Sequence, residues 1–302
     1  MRRYLATRSG DVSVAVEDLD DPVDASGRSD GTRRSDGTHG SDGTRRSDAR
    51  ESGGTSRPNA PSRSDKALDY REWLLHPNAR DQTASIIKVD ILETLLHRSR
   101  GALSYSARVT AEGMIDDSDN DDATDLWNAD GGGSSVAAYN RLAGLTQTTP
   151  NIAGYWGLTL TSAADQIKLL TELAYPSRVL TAGSRRYALT LMEHINPTQD
   201  WGVSGGVPRN ATVALKNGWL PLGESGSWEI NSIGWVRGDR RNYLIAVLTA
   251  HDPGEQYGID TIEHISSLVF AGLRPCRARP GALTRVDRRC SATGSGRRGN
   301  RA

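Results

Sequence analysis

Apolar positions along the chain fall into three regimes. Near the N-terminus Val12, Val14 and Val16 alternate with polar neighbours, the period of a strand with one buried face. Residues 3–8 before it predict a short helix. From about 20 to 65 almost nothing apolar occurs. Order is expected to return with a second strand at 67–73, and from 85 the spacing changes to threes and fours. Val89, Leu92, Leu95 and Leu96 share one helical face, as do Ala107, Ala111, Met114 and Ile115 within a helix over 106–115. A short helix is expected at 122–128. Gly131-Gly132-Gly133 reads as a flexible break before a helix through Tyr139 and Leu142, and 150–157 as a loop. Thr161 is placed to cap a helix reaching Leu173, and another helix covers 179–195. Strands follow at 212–219, 228–236 and 243–250. The last is a nearly continuous apolar run suited to a central strand. A closing amphipathic helix covers 259–273.

This order predicts an α/β (α+β) fold in which the two ends of the chain meet in one antiparallel sheet flanked by helices. Residues 1–19, 66–84 and 205–273 would form the sheet subdomain. Residues 85–204 would form a helical subdomain, with a cleft between the two, a favoured place for a small-molecule site. In 20–65 the words Ser29-Asp30-Gly31-Thr32, Ser35-Asp36-Gly37-Thr38 and Ser41-Asp42-Gly43-Thr44 repeat every six residues. They carry no inward apolar residue, so a solenoid is excluded and a disordered polyampholyte insertion is expected. The Pro/Arg/Gly-rich 274–302 is expected to be a disordered tail.

Composition narrows the function classes. Of 302 residues 36% are hydrophobic and the formal net charge is zero, which removes bulk electrostatic attraction to nucleic acid or membrane. No apolar run approaches the ~20 residues of a membrane span. Met1-Arg2-Arg3 is a positive start with no apolar stretch behind it, so no export signal is visible. Cys276 and Cys290 lack metal-ligand spacing and could pair or stay free. The basic residues are nearly all arginine, and Lys66, Lys88, Lys168 and Lys216 are the four lysines. An amine can be tuned to lose its proton near neutrality and a guanidinium cannot, so Lys88 and Lys216 are candidate chemical groups.

Ser85 opens the apolar helix and Lys88 follows three positions later, which would set hydroxyl and amine side by side at a helix N-terminus. Ser118-Asp119-Asn120 falls between two helices of the middle. Lys216-Asn217-Gly218 falls on the first strand after it. Ser-x-x-Lys, Ser-Asp-Asn and Lys-Thr-Gly, in that order and in those contexts, form the set of a serine acyl-transfer site. The acidic cluster around Asp116 to Asp125 fails the calcium-loop pattern, which needs Gly at Asp122 and Glu at Asn128. The six histidines are scattered without metal spacing. No metal and no cofactor is expected. Tyr155, Trp156 and Trp219 could line a pocket or pack in the core.

On these motifs, with Thr83 to Leu92, Met114 to Asp121, Gly144 to Pro150 and Lys216 to Leu220, the chain resembles the serine β-lactamase and penicillin-binding superfamily. It looks closest to a β-lactamase-related serine hydrolase group of high-GC actinobacteria. The resemblance implies that Ser85 is a nucleophile forming an acyl-enzyme, Lys88 its base and Ser118 a proton relay to the leaving nitrogen. It implies substrate contacts from Asn120, Lys216, Asn217, Gly218 and Trp219, with the backbone N–H groups of Ser85 and Trp219 as the oxyanion hole. It further implies a small-molecule or peptide substrate, β-lactam breakdown in response to antibiotic, a monomer, and a place outside the cell membrane or in the envelope, which a misassigned start would reconcile with the missing signal. The chain departs from the pattern in three ways. Residues 151–157 hold no carboxylate where class A enzymes keep the glutamate that activates the deacylating water, Asn217 replaces a hydroxyl residue, and Ser85 to Ser118 is short at 33 positions. A D,D-peptidase, an esterase, or a binder acylated at most once remain the alternatives.

Overall fold

The valine alternation near the N-terminus is realised as a strand in the computed structural model, which describes residues 1–19 and 74–273. After the short helix α1 (Arg2–Leu5), strand β1 (Asp11–Asp18) points Val14 and Val16 to one face and Ala15 to the other, all buried. The expected strand at 67–73, the repeats, the tail and both cysteines lie outside the described residues. A three-residue strand, β2 (Arg80–Gln82), leads into a 3₁₀ turn, Ala84–Ile86, and then helix α2 (Ile87–Arg98).

Helices α3 (Tyr105–Asp116), α4 (Asn120–Asp130) and α5 (Gly132–Ala143) follow. The triple glycine is not a break. Gly131 takes a left-handed φ of 92°, ends α4 and starts α5 at the next residue, so the helix begins inside the glycine run. A 3₁₀ turn at Trp156–Leu158 precedes β3 (Leu160–Ser162), which pairs with β2. Thr161 lies in that strand, and the cap of α6 (Ala163–Ala174) is Ser162, whose side chain accepts from Asp165 N. Helix α7 (Ala182–Glu193) is capped by Thr181.

The three C-terminal strands are β4 (Thr212–Leu222), β5 (Ser227–Gly238) and β6 (Arg241–Asp252), and α8 (Glu255–Gly272) closes the described chain. The sheet order is β1-β6-β5-β4, antiparallel throughout, with Asp11 opposite Ala250. The two ends of the sequence therefore meet in one sheet, as the strand order predicted. A bulge between Trp228 and Ile230 bends β5.

Strand alternation divides the core. Ala15, Ala214, Ile233, Leu244, Ala246 and Leu248 face α2 to α7. Val14, Val16, Leu215, Ile230, Val236, Ile245 and Val247 face α8. Helix α2 runs through the larger cluster, with Val89, Ile91, Leu92 and Leu96 at most 1% exposed. Each such side chain contributes about 1.5–3 kcal/mol on burial, enough to fix α2 rigidly beneath the turn that carries Ser85.

Candidate active site

The Ser85 turn is held from three directions. Its backbone enters through Ala84 in a left-handed conformation, φ 46°, strained for a residue with a Cβ. From β5, Asn231 Nδ2 donates to Gln82 O (2.8 Å) and Thr83 O (3.1 Å). From the loop before β3, Thr159 O accepts from Thr83 N at 2.8 Å. From β4, Gly218 lies so close that a Cβ there would stand 2.7 Å from Ser85 N and 2.9 Å from both Ile86 N and Thr83 O. Only a residue without a side chain allows this approach. Ser85 is half-buried and sits inside the 3₁₀ turn, one residue before α2 begins its cap.

Lys88, in the first turn of α2, has no exposed surface. Its Nζ donates to Ser118 O (2.6 Å), Ser118 Oγ (3.0 Å) and Asn120 Oδ1 (2.8 Å). Among the described residues its amine makes no hydrogen bond to the Ser85 hydroxyl, although helical spacing puts the two on one face. Three acceptors match the three N–H groups of an ammonium. With a neutral amine, the Ser118 hydroxyl can turn and donate to the nitrogen lone pair across the same 3.0 Å. The Trp156 ring lies over Nζ at 4.9 Å to its centroid. Burial lowers the Lys88 pKa to about 7, opposed by the nearby charges of Asp119 and Asp122. The balance has a physical reason. A cation–π contact returns only about 0.5–2 kcal/mol, whereas stripping water from an ammonium costs several kcal/mol.

Ser118 reaches Lys88 because its backbone is left-handed, φ 56°, between the end of α3 and the start of α4. Asp119 caps α4 by accepting from Asp122 N at 2.9 Å, which sets the first residue, Asn120, toward Lys88. The acidic cluster thus serves a helix N-terminus, where negative charge is favoured. No group of metal-ligating side chains occurs among the described residues.

On β4, Lys216 shares the helical face of the sheet with Ala214 and is 1% exposed. Its Nζ has Asn217 O at 3.1 Å as a hydrogen-bond acceptor. Burial pushes its pKa well below the lysine value, and the charge of Lys88 pushes the same way. As an ammonium it would have two further N–H groups to offer an anion. Asn217 points to the other face, with Leu215. There its amide donates to Gln199 O (2.7 Å) and Trp201 O (3.1 Å) and accepts from Ser232 Oγ (2.6 Å). The Trp219 ring is tilted against Trp201, centroids 6.0 Å apart. The structure therefore brings Ser85, Lys88, Ser118, Asn120, Lys216 and Gly218 to one place and turns the Asn217 side chain away from Lys216.

One residue gains a role here that the sequence reading did not assign, and a second, offered there as lining a pocket or packing in the core, gains a definite one. Gln199 links the two motifs, since its Nε2 donates to Asp117 O (2.8 Å) beside Ser118 and its carbonyl accepts from Asn217. Trp156 is the second. Its only sequence signal was an aromatic pair in a loop. Two surface clefts of about 450 Å³, one around Arg98, Arg100 and Arg178 and one around Gly131 to Ser134, include none of the six clustered residues.

Comparison with known proteins gives the family and the fold. The sequence pattern of the beta-lactamase enzyme family matches residues 81–273. A protein of Mycobacterium tuberculosis and one of Mycobacterium bovis, both named "Putative lipoprotein LppW", are 30% identical over 192 residues, 60% of this chain. The match spans 60% of the length of those relatives. Among solved structures, a class A beta-lactamase from Mycobacterium abscessus superposes with a TM-score of 0.63 at 17% identity, over 90% of this chain and 96% of that one. The TLA-1 extended-spectrum beta-lactamase gives 0.66 at 15%, over 89% and 95%. The L158E mutant of PBP-A, an acyl-enzyme complex with penicillin G, gives 0.58 at 19%, over 67% and 84%.

Proposed function

Because the chain belongs to the beta-lactamase enzyme family, we propose that it is a serine hydrolase working through an acyl-enzyme on Ser85, with β-lactams or related amides as substrates. The observation that carries this reading is the buried Lys88 amine, held between Ser118 and Asn120 on the helix that Ser85 leads into.

In this reading the Ser85 hydroxyl attacks the carbonyl carbon while its proton passes to neutral Lys88. With a pKa of about 7, Lys88 keeps a substantial neutral fraction at neutral pH. The oxyanion is met by the backbone N–H groups of Ser85 and Trp219, one such donor being worth about 3 kcal/mol of barrier. As the carbonyl re-forms, the C–N bond breaks. The leaving nitrogen takes the Ser118 proton, and Ser118 recovers one from the Lys88 ammonium. Asn120 holds the acyl side-chain amide and Lys216 a substrate carboxylate.

Residues 151–157 carry no carboxylate to activate water. This favours slow release and keeps a second reading, a binder acylated once. Incubation with benzylpenicillin, followed by intact mass and by product over time, separates the two. Product accumulation supports the hydrolase. A stable adduct that is absent in Ser85→Ala supports the binder. Neither product nor adduct would exclude β-lactams and leave a peptidase or esterase on the same site.

A further inference from the structure

Trp156 has a definite place. Its indole Nε1 donates to Thr124 Oγ1 on α4 at 3.1 Å, and its ring face covers Lys88 Nζ. The turn that carries it is tied to the Ser85 turn, since Thr83 Oγ1 donates to Gly157 O at 3.4 Å and Thr83 N to Thr159 O at 2.8 Å. The other directions around Nζ are taken by Ser118 and Asn120. Trp156 is half-buried, while Lys88 beneath its ring has no exposed surface. The ring offers no hydrogen-bond acceptor to the amine and excludes a water that would.

We propose that Trp156 is a positioning residue for Lys88, an apolar cover that keeps water off the amine on the side left open by Ser118 and Asn120. The charged groups facing Lys88 are Asp119 and Asp122 from α4 and Lys216 from β4, and the cover acts against the first two. The consequence for chemistry rests on the acyl-enzyme reading, but the cover itself does not. Its removal lets water stabilise the ammonium and takes away the base form.

The chain has four lysines, so ¹³Cε-lysine labelling gives a spectrum simple enough to titrate one by one. Lys88 is assigned by comparison with Lys168→Arg, Lys216→Arg and Lys66→Arg. In Trp156→Ala its midpoint is expected to rise by one pH unit or more, a tenfold gain in proton affinity. In Trp156→Phe, which keeps an apolar face, it is expected to stay within a few tenths. If Trp156→Ala does not fold, Trp156→Gln replaces it, bringing a hydrated amide of similar reach. A Lys88 midpoint unmoved in Ala or Gln overturns the proposal, as does an equal rise in Phe. Penicillin acylation is followed on the same samples. A moved midpoint without acylation in the wild type keeps the cover and removes the β-lactam reading. Acylation with an unmoved midpoint does the reverse.

Discussion

At Gly218 one methyl group decides whether β4 can meet the Ser85 turn. The atoms it would strike are backbone atoms of residues 83, 85 and 86, which cannot swing aside as a side chain would. Gly218→Ala is expected to cost about 1–3 kcal/mol in stability, read by thermal unfolding. If Ser85 is the nucleophile, as proposed, it should also slow acylation at least tenfold, because displacing its hydroxyl by a fraction of an ångström spoils the approach. At Lys88 the expectation is chemical. Lys88→Ala should lower the acylation rate about 10²–10⁴-fold by mass spectrometry while the protein stays folded. A rate within threefold of the wild type would remove Lys88 from the proton path.

Helix α2 carries a second set of ionisable groups, on the side away from Lys88. Asp90 and Glu93 are fully buried. Burial raises Asp90 from 3.8 to about 8 and Glu93 well above its usual value, and Tyr139 donates to Glu93 Oε2 at 2.5 Å. Asn140, Asp165 and Asp130 face Asp90, the two acids adding to the rise. Between pH 4 and 8 the folded state therefore holds a proton on Asp90 that the unfolded state has released. Stability falls as pH rises through this window, by up to about 1.4 kcal/mol per pH unit for one group. Asp90→Asn should flatten the slope in a series of melts from pH 5 to 8. An unchanged slope would place the effect on other groups.

Elements of this kind were legible where one period ran unbroken. β6 and α2 follow directly from Tyr243 to Ala250 and from Val89 to Leu96. Misreadings arose where a residue type has two uses. Glycine at 131–133 can loosen a chain or, in a left-handed cap, join two helices with no linker. Thr161 and Ser162 are equal as caps in the sequence and both pair with β2, but Ser162 directly precedes the first helical residue and accepts from Asp165 N. The site motifs were legible as words. Their geometry was only partly so. Strand parity alone separates Asn217 from Lys216. The contact between Trp156 and Lys88 joins residues 68 apart, and no local pattern encodes it.

At the scale of the whole molecule, the sheet needs the first strand as much as the last three. Val14, Ala15 and Val16 are at most 2% exposed and register on Val247, Ala246 and Ile245. Val14→Asp places an unpaired charge in that layer and should abolish cooperative unfolding, read by calorimetry. The outer edge of β1 is also engaged. Val14 N donates to Leu75 O at 2.8 Å and Leu75 N to Val14 O at 3.0 Å. The residues that flank the long interval of sequence after β1 are both held on the sheet, Leu19 N donating to Asn242 O and Leu75 pairing with Val14. Loop-closure entropy grows only with the logarithm of length, so doubling such an excursion costs about 0.6 kcal/mol. Replacing residues 22–70 with six glycines and serines should leave the melting temperature unchanged or a few degrees higher. The doubly clasped strand thus marks a port in the chain, where sequence gained, lost or exchanged for a reporter is expected to leave the sheet intact.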